Sequence, residues 1–236
     1  MKFAGWMTML TAAALAACTP PAPPPAGPAP EPGSGPAQPG QDPAAVAAEL
    51  QRGTLPASPR QVTFGWELDE AGASFRGRGV ARYEAPRRVR LDLFGPRGET
   101  FLAAALVDGE VRAPAMLLQR FRLPSPGLLW GAVGVMAPPA DARLLNATTG
   151  QGGDTLVRYQ LGGDVLEYRA RGGRLQSVRR LSGGGVAESV DLTWGDQGPS
   201  RAQYRDWAAF RNLTLTVEQS TDVESFPEDT WTPPGT

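Results

Sequence analysis

Val62, Phe64, Trp66 and Leu68 alternate with Thr63, Gly65 and Glu67. That period of two is the mark of a strand with one buried face. Asp69 to Gly72 supplies a turn, and Ser74 to Tyr83 then reads as a second strand with Arg76, Arg78 and Arg82 on its outer side, so a hairpin is predicted. Val89, Leu91 and Leu93 repeat the alternation against Arg88, Arg90 and Asp92 up to a break at Gly95-Pro96. Phe101 to Val107 is apolar on both parities, which predicts a strand covered on each side. Asp108-Gly109 is a strong hairpin signal, with Glu110 to Ala113 as the short return strand.

From Pro126 to Val135 the pattern changes. Leu128, Leu129, Trp130, Ala132, Val133 and Val135 fit a short helix with a broad apolar surface, weakened by Gly131 and Gly134 and ended by Pro138-Pro139. The β pattern resumes at Leu144 and Leu145 and continues through Thr155 to Leu161, Val165 to Ala170, Leu175 to Leu181 and Val186 to Trp194, with glycine-rich turns between. Tyr204 to Phe210 reads as a strand running past a sheet edge, and Leu213, Leu215 and Val217 give a last clear alternation. Upstream, Asp42-Pro43 has the form of an N-cap followed by proline at the first helical position, with Ala44 to Leu50 as helix formers and Gly53 as the stop. The predicted fold is mainly β with a few helices: an antiparallel sheet of many short strands that curls on itself.

The first residues follow a different logic. Lys2 precedes an apolar stretch from Phe3 to Ala17 that includes Trp6 and Leu10, the arrangement of an export signal. About 15 residues fall short of the roughly 20 that span a bilayer. Leu15-Ala16-Ala17-Cys18 resembles the lipobox of bacterial lipoproteins, in which the cysteine sulfur takes a diacylglyceryl group and becomes the new N-terminus after cleavage. Cys18 is the only cysteine, so lipidation gives a reason for a thiol that has no intramolecular partner. Thr19 in place of aspartate implies, by likeness to sorted lipoproteins, the outer membrane with the domain facing the periplasm. Thr19 to Pro43 holds 11 prolines and almost no large apolar side chain. This composition favours an extended tether over a proline-rich ligand, and about 25 residues at about 3.1 Å each would reach roughly 80 Å. The expected organisation is a signal peptide at 1–17, a lipidated cysteine and tether at 18–43, and one β domain at 44–236.

Charge and chemistry narrow the function. The chain carries 23 Lys plus Arg against 24 Asp plus Glu, and loss of Lys2 with the signal leaves a net of -2, nearly all the positive charge being arginine. No concentrated basic footprint points to nucleic acid. Histidine is absent, which removes the usual general base, the serine triad and the commonest metal ligand. Gly77 and Gly79 lie inside a strand and Gly183 to Gly185 between strands, not in the strand-loop-helix setting of a phosphate cradle. Glu228 with Asp229, and Asp222 with Glu224, read as solvated surface in a polar stretch. No catalytic residue, metal site or cofactor is expected, and the protein is read as a non-enzyme. Its informative feature is apolar: a curved sheet and Leu- and Trp-rich helices that enclose a pocket for an acyl chain, or pack as a dry core.

The run Arg88 to Glu99 (Arg-Val-Arg-Leu-Asp-Leu-Phe-Gly-Pro-Arg-Gly-Glu), followed by an apolar strand and Val107-Asp108-Gly109, resembles the LolA/LolB-like superfamily of lipoprotein carriers, on the side of membrane-anchored LolB-like lipoproteins. Leu129-Trp130-Gly131, Tyr204-Arg205-Asp206, Leu213 to Val217, and Phe226-Pro227 with Trp231 are similar to that family's later helix and closing strands. The resemblance implies an incomplete, strongly curved antiparallel β-barrel over helices, with a hydrophobic cavity for a lipid or lipoprotein acyl chain. Phe64, Trp66, Leu91, Leu93, Phe101, Leu128, Leu129 and Trp130 are the expected lining. Pro114 to Pro126, with Met116, Leu117, Leu118 and Phe121, is an apolar lid or a buried connection. The expected partners are the membrane, through Cys18, and an acyl chain or lipoprotein; the competing expectation is a scaffold lipoprotein that binds an envelope protein and no ligand.

Overall fold

The computed structural model describes residues 40–120, 123–150 and 152–235. The export segment, Cys18, most of the proline-rich stretch and Phe121 lie outside the described residues. Helix α1 spans Pro43–Thr54, and the Asp42 carboxylate accepts from the Ala44 N–H at 3.0 Å, with proline at the first helical position. The cap and the proline act together, since proline lacks the N–H that a first turn would leave unpaired.

The sheet follows as β1 (Arg60–Glu70), β2 (Ala73–Glu84), β3 (Arg88–Phe94), β4 (Thr100–Val107) and β5 (Glu110–Arg112), then, after helices α2 (Ala115–Arg120) and α3 (Pro126–Ala132), β6 (Arg143–Thr149), β7 (Asp154–Leu161), β8 (Asp164–Arg171), β9 (Arg174–Ser182), β10 (Gly185–Gly195), β11 (Gly198–Asp206) and β12 (Arg211–Asp222). These twelve strands form one antiparallel sheet in the order β5-β4-β3-β2-β1-β12-β11-β10-β9-β8-β7-β6. Pairing of β1 with β12, with Phe64 opposite Val217 and Trp66 opposite Leu215, joins the two meanders. The edges β5 and β6 do not pair, so the sheet is strongly curved but not closed. Register shifts at Thr63/Phe64, Leu93/Phe94, Val186/Glu188 and Thr193/Trp194 help to bend it, because an extra residue on one strand increases local twist.

Two features let the sheet curl tightly. Gly77 and Gly79 of β2 sit opposite Trp66 and Phe64 of β1, and a Cβ at Gly79 would overlap the Phe64 ring. These glycines make room for aromatic rings; they are not turn residues. The Trp66 indole N–H donates to the carbonyls of Arg78 at 3.0 Å and Phe94 at 3.1 Å, so its polar edge is satisfied inside the wall. At the hairpin tip, Asp108 and Gly109 take φ of +49° and +88°, the paired positive values that a two-residue type I′ turn needs.

Helix α3 divides the concave space into two packed clusters. Leu128 joins Ala47 and Leu50 of α1 with Val157, Leu166, Tyr168, Leu175 and Val178; Trp130 joins Val62, Phe64, Trp66, Leu93, Leu102 and Leu106. Gly127 and Gly131, one turn apart, let the helix press on the sheet: a Cβ would come within 2.6 Å of Leu166 at the first and of Val178 at the second. The helix ends at Ala132, three residues before the apolar pattern does. Gly134 has φ +81°, its N–H donates to Gly131 and that of Val135 to Trp130, the paired bonds of a glycine-stopped helix.

Three expectations change at the sheet. The Tyr204 segment belongs to β11, which starts at Gly198 and lies between β10 and β12 in the interior of the sheet, not at an edge. The C-terminal residues do not close it as strands; Glu228–Trp231 forms a 3-10 turn on the convex side, where Trp231 is fully buried with Ala105, Val107 and Phe226. This turn is the outer cover of β4 that its two-sided apolar pattern required. Finally, Asp92 lies on the outward parity of β3 but is only 3% exposed, because Arg82 and Arg90 cover and bind its carboxylate at 2.8 and 2.9 Å. Arg158 and Arg169 do the same to Glu167.

The four tyrosines, Tyr83, Tyr159, Tyr168 and Tyr204, all have raised pKa values, in each case first through burial, which penalises the phenolate. The contribution to stability is therefore whole below the ordinary tyrosine value of about 10 and is lost as pH rises above it. In an alkaline titration, tyrosinate absorbance should rise only together with loss of near-UV circular dichroism. Phenolate formation near pH 10 with the fold intact would contradict this placement of the tyrosines.

Candidate ligand cavity

Between the concave face and α3 lies a cavity of about 120 Å³. Its floor is Val62 and Phe64 of β1, Ala81 of β2, Leu91 of β3, and Leu102, Ala104 and Leu106 of β4; α3 roofs it with Leu128, Leu129 and Ala132; Val190, Ala202, Leu213 and Leu215 close the far side. Strand alternation produces this lining directly, since every second residue of β1, β3 and β4 points to one face. Leu123 and Pro124, on the connection between α2 and α3, complete the wall.

Among the described lining side chains only Tyr204 carries a polar atom. That hydroxyl is not offered to the cavity. It donates at 2.6 Å to Oε1 of Glu188, whose other oxygen accepts from Arg180 Nε at 2.5 Å, while Arg180 Nη1 reaches Asp164 at 2.7 Å. Glu188 is 3% exposed, and both of its carboxylate oxygens have a donor. Burial and the adjacent Glu188 carboxylate push the Tyr204 phenol far above its usual range, keeping it a neutral donor. The result is a cavity surface that is mostly carbon, with the Tyr204 hydroxyl held by Glu188.

Of the residues expected to line an acyl site, Phe64, Leu91, Leu128 and Leu129 meet around this cavity. Trp66, Leu93, Phe101 and Trp130 do not line it. Trp66 stacks on Phe101 with ring centroids 4.9 Å apart, Phe101 faces the half-exposed Phe75, and Leu93 and Trp130 are buried in the second cluster. Periodicity missed the alanines. Ala81, Ala104, Ala132 and Ala202 give the cavity its volume, and the visible signal is the Ala103-Ala104-Ala105 run in a strand where larger side chains would otherwise meet. On the α2 segment, Met116 is 77% and Leu118 46% exposed, while Leu117 packs on the second cluster.

Left unfilled, such a space would have an energetic cost: at about 24 cal/mol per Å³ of void, 120 Å³ would withhold about 3 kcal/mol from the fold. A cavity of about 150 Å³ accepts a benzene-sized guest, and sites for larger ligands run from about 300 Å³, so the space as it stands fits a short length of hydrocarbon.

No protein-family model matches the sequence, and no curated protein matches it. Solved structures share the fold. A LolA superfamily protein from Nitrosomonas europaea superposes with a TM-score of 0.51 at 12% identity over 80% of this chain and 96% of that one. A domain described as outer membrane lipoprotein-sorting, from Vibrio parahaemolyticus, gives a TM-score of 0.50 at 10% identity over 80% and 95%. The chain therefore has the LolA-like fold that its motifs resemble, an open barrel of twelve strands.

Proposed function

We propose that this protein is a lipoprotein of the bacterial outer membrane, held through Cys18, whose domain takes up an acyl chain of a lipid or a lipoprotein in the cavity beneath α3 and takes part in localising it. The observation that carries the reading is the lining: a cavity of about 120 Å³ in which, among the described residues, one side chain carries a polar atom, and that atom is bonded away from the space. The sorting description of the Vibrio parahaemolyticus domain supports the same direction. Binding would come from water exclusion, at about 0.8 kcal/mol for each methylene buried, with no catalytic group involved. Replacement of Cys18 by serine should release the full chain from the membrane fraction.

Native mass spectrometry of the full chain carrying Cys18→Ser, after exposure to bacterial phospholipid vesicles, tests the cavity. Stoichiometric acyl ligand is expected. It should be lost in Leu129→Asp, which puts a charge against the tail while leaving a half-buried helix position that water can reach. A folded protein that takes up no lipid would favour the alternative, a scaffold that uses the same fold to hold an envelope protein.

A further inference from the structure

The apolar cavity has a polar neighbour. A second space of about 330 Å³ lies at the end of the barrel where β1 and β12 meet the hairpin between β10 and β11. Val62, Ala132, Val133 and Val217 line both spaces, so the two are adjacent, with four apolar side chains between them. Beyond these the lining turns polar, with Arg60, Tyr83, Ser200 and Ser220.

Arg60 stands on the inward parity of β1, two residues before Val62, where the pattern would call for an apolar side chain. Its Nε donates to Asp222 at 2.7 Å and its Nη1 reaches the Gln197 carbonyl at 3.4 Å. A guanidinium has five N–H donors, more than these two partners take. Asp222 is 60% exposed and already shows how an oxyanion sits on this arginine. The acidic side chains that line the space are turned elsewhere or solvated: Glu218 leans to Arg78 at 3.5 Å, and Asp196 is exposed at the hairpin tip.

We propose that the cavity and this vestibule form one two-compartment site for a single-chain amphiphile with an anionic oxygen head, the tail under α3 and the carboxylate or phosphate on Arg60. The assignment rests on the acyl reading of the cavity and adds the orientation of the ligand and the chemistry of its head. Arginine suits this position because its planar donors match both carboxylate and phosphate and are only weakly hydrated. The ligand's head then stays at the barrel end, in water's reach, while the methylenes pass Val62 and Val217.

Calorimetric titration of the full chain carrying Cys18→Ser with dodecanoate, dodecyl phosphate and dodecanol separates head from tail, because the three share one chain. The anions should bind about tenfold more tightly than the alcohol, which corresponds to about 1.4 kcal/mol. Arg60→Gln should bring them down to the alcohol's level and leave dodecanol unchanged. Asp222→Asn, at an exposed carboxylate that competes for the same guanidinium, should tighten the anions alone, and decides the matter even if the Arg60 variant fails to fold. Preference for only one anion identifies the head as carboxylate or phosphate and supports the site. Equal binding of all three ligands, unmoved by either variant, overturns the head assignment and leaves the acyl cavity standing. Failure of all three to bind overturns both.

Discussion

Trp231→Ala should lower the stability of the domain by about 3 kcal/mol, near the lower end of the roughly 3–5 kcal/mol that follows truncation of a buried tryptophan. Trp231 is fully buried on the convex side, edge-on to Phe226 with centroids 5.6 Å apart and packed with Ala105 and Val107 of β4. The Arg88 guanidinium stands 5.8 Å from its ring, Arg88 pairs with Glu228 at 2.6 Å, and Arg90 donates to the Thr230 carbonyl at 2.8 Å. Those polar links keep the segment near the sheet but cannot replace the ring over β4. The loss falls at the lower end because the indole N–H has no partner among the described residues, so removal also relieves an unpaired buried donor. Urea denaturation measures the loss, and Trp231→Phe should recover part of it. Acyl binding should not change, since the cavity is on the opposite face of β4. A loss below about 1 kcal/mol would mean that the C-terminal turn contributes little to the fold.

How much of this was legible in the sequence depends on the range of the interaction. The hairpins of β1 to β5 and the start of α1 were readable because alternation, the Asp108-Gly109 pair and the Asp42-Pro43 cap act between near neighbours. β11 was not, because Pro199, Arg201, Gln203 and Arg205 sit among only Ala202, Tyr204 and Asp206 as buried positions. Its burial comes from β10 and β12 on either side, which no local pattern reports. The C-terminal turn is held by arginines 140 residues earlier in the chain. The buried Asp92 and Glu167 belong to the same class: each alternates correctly as an outward residue, and only the arginines folded over it remove it from water.

The candidate site divides along the same line. Phe64, Leu91, Leu128 and Leu129 could be named because a buried face can be read from its period. Whether that face meets another side chain or a void depends on what stands across from it, and there Trp66 and Phe101 turned out to fill space while small residues left it. Arg60 is hard to single out locally because a charged residue at a strand's first position looks like an end signal; its inward parity, shared with Val62 and Phe64, is the available clue.

Ala104→Phe should abolish acyl binding, by at least a hundredfold in affinity, without weakening the fold. Overpacking normally costs about 1–3 kcal/mol, because a tight core has nowhere to put added atoms. Here the added phenyl ring projects from the floor of a void of about 120 Å³, close to the size that holds a benzene-sized guest. The ring becomes an internal ligand: it recovers part of the roughly 3 kcal/mol that an unfilled void would withhold and occupies the volume a tail would need. Thermal unfolding of the unliganded variant should therefore occur at or above the temperature of the parent, while the shift that dodecanoate produces in the parent should vanish. This pairing separates a cavity kept for a guest from a flaw in packing. If the variant unfolds several degrees lower and still takes up ligand, the acyl chain binds elsewhere and the space beneath α3 is not the site.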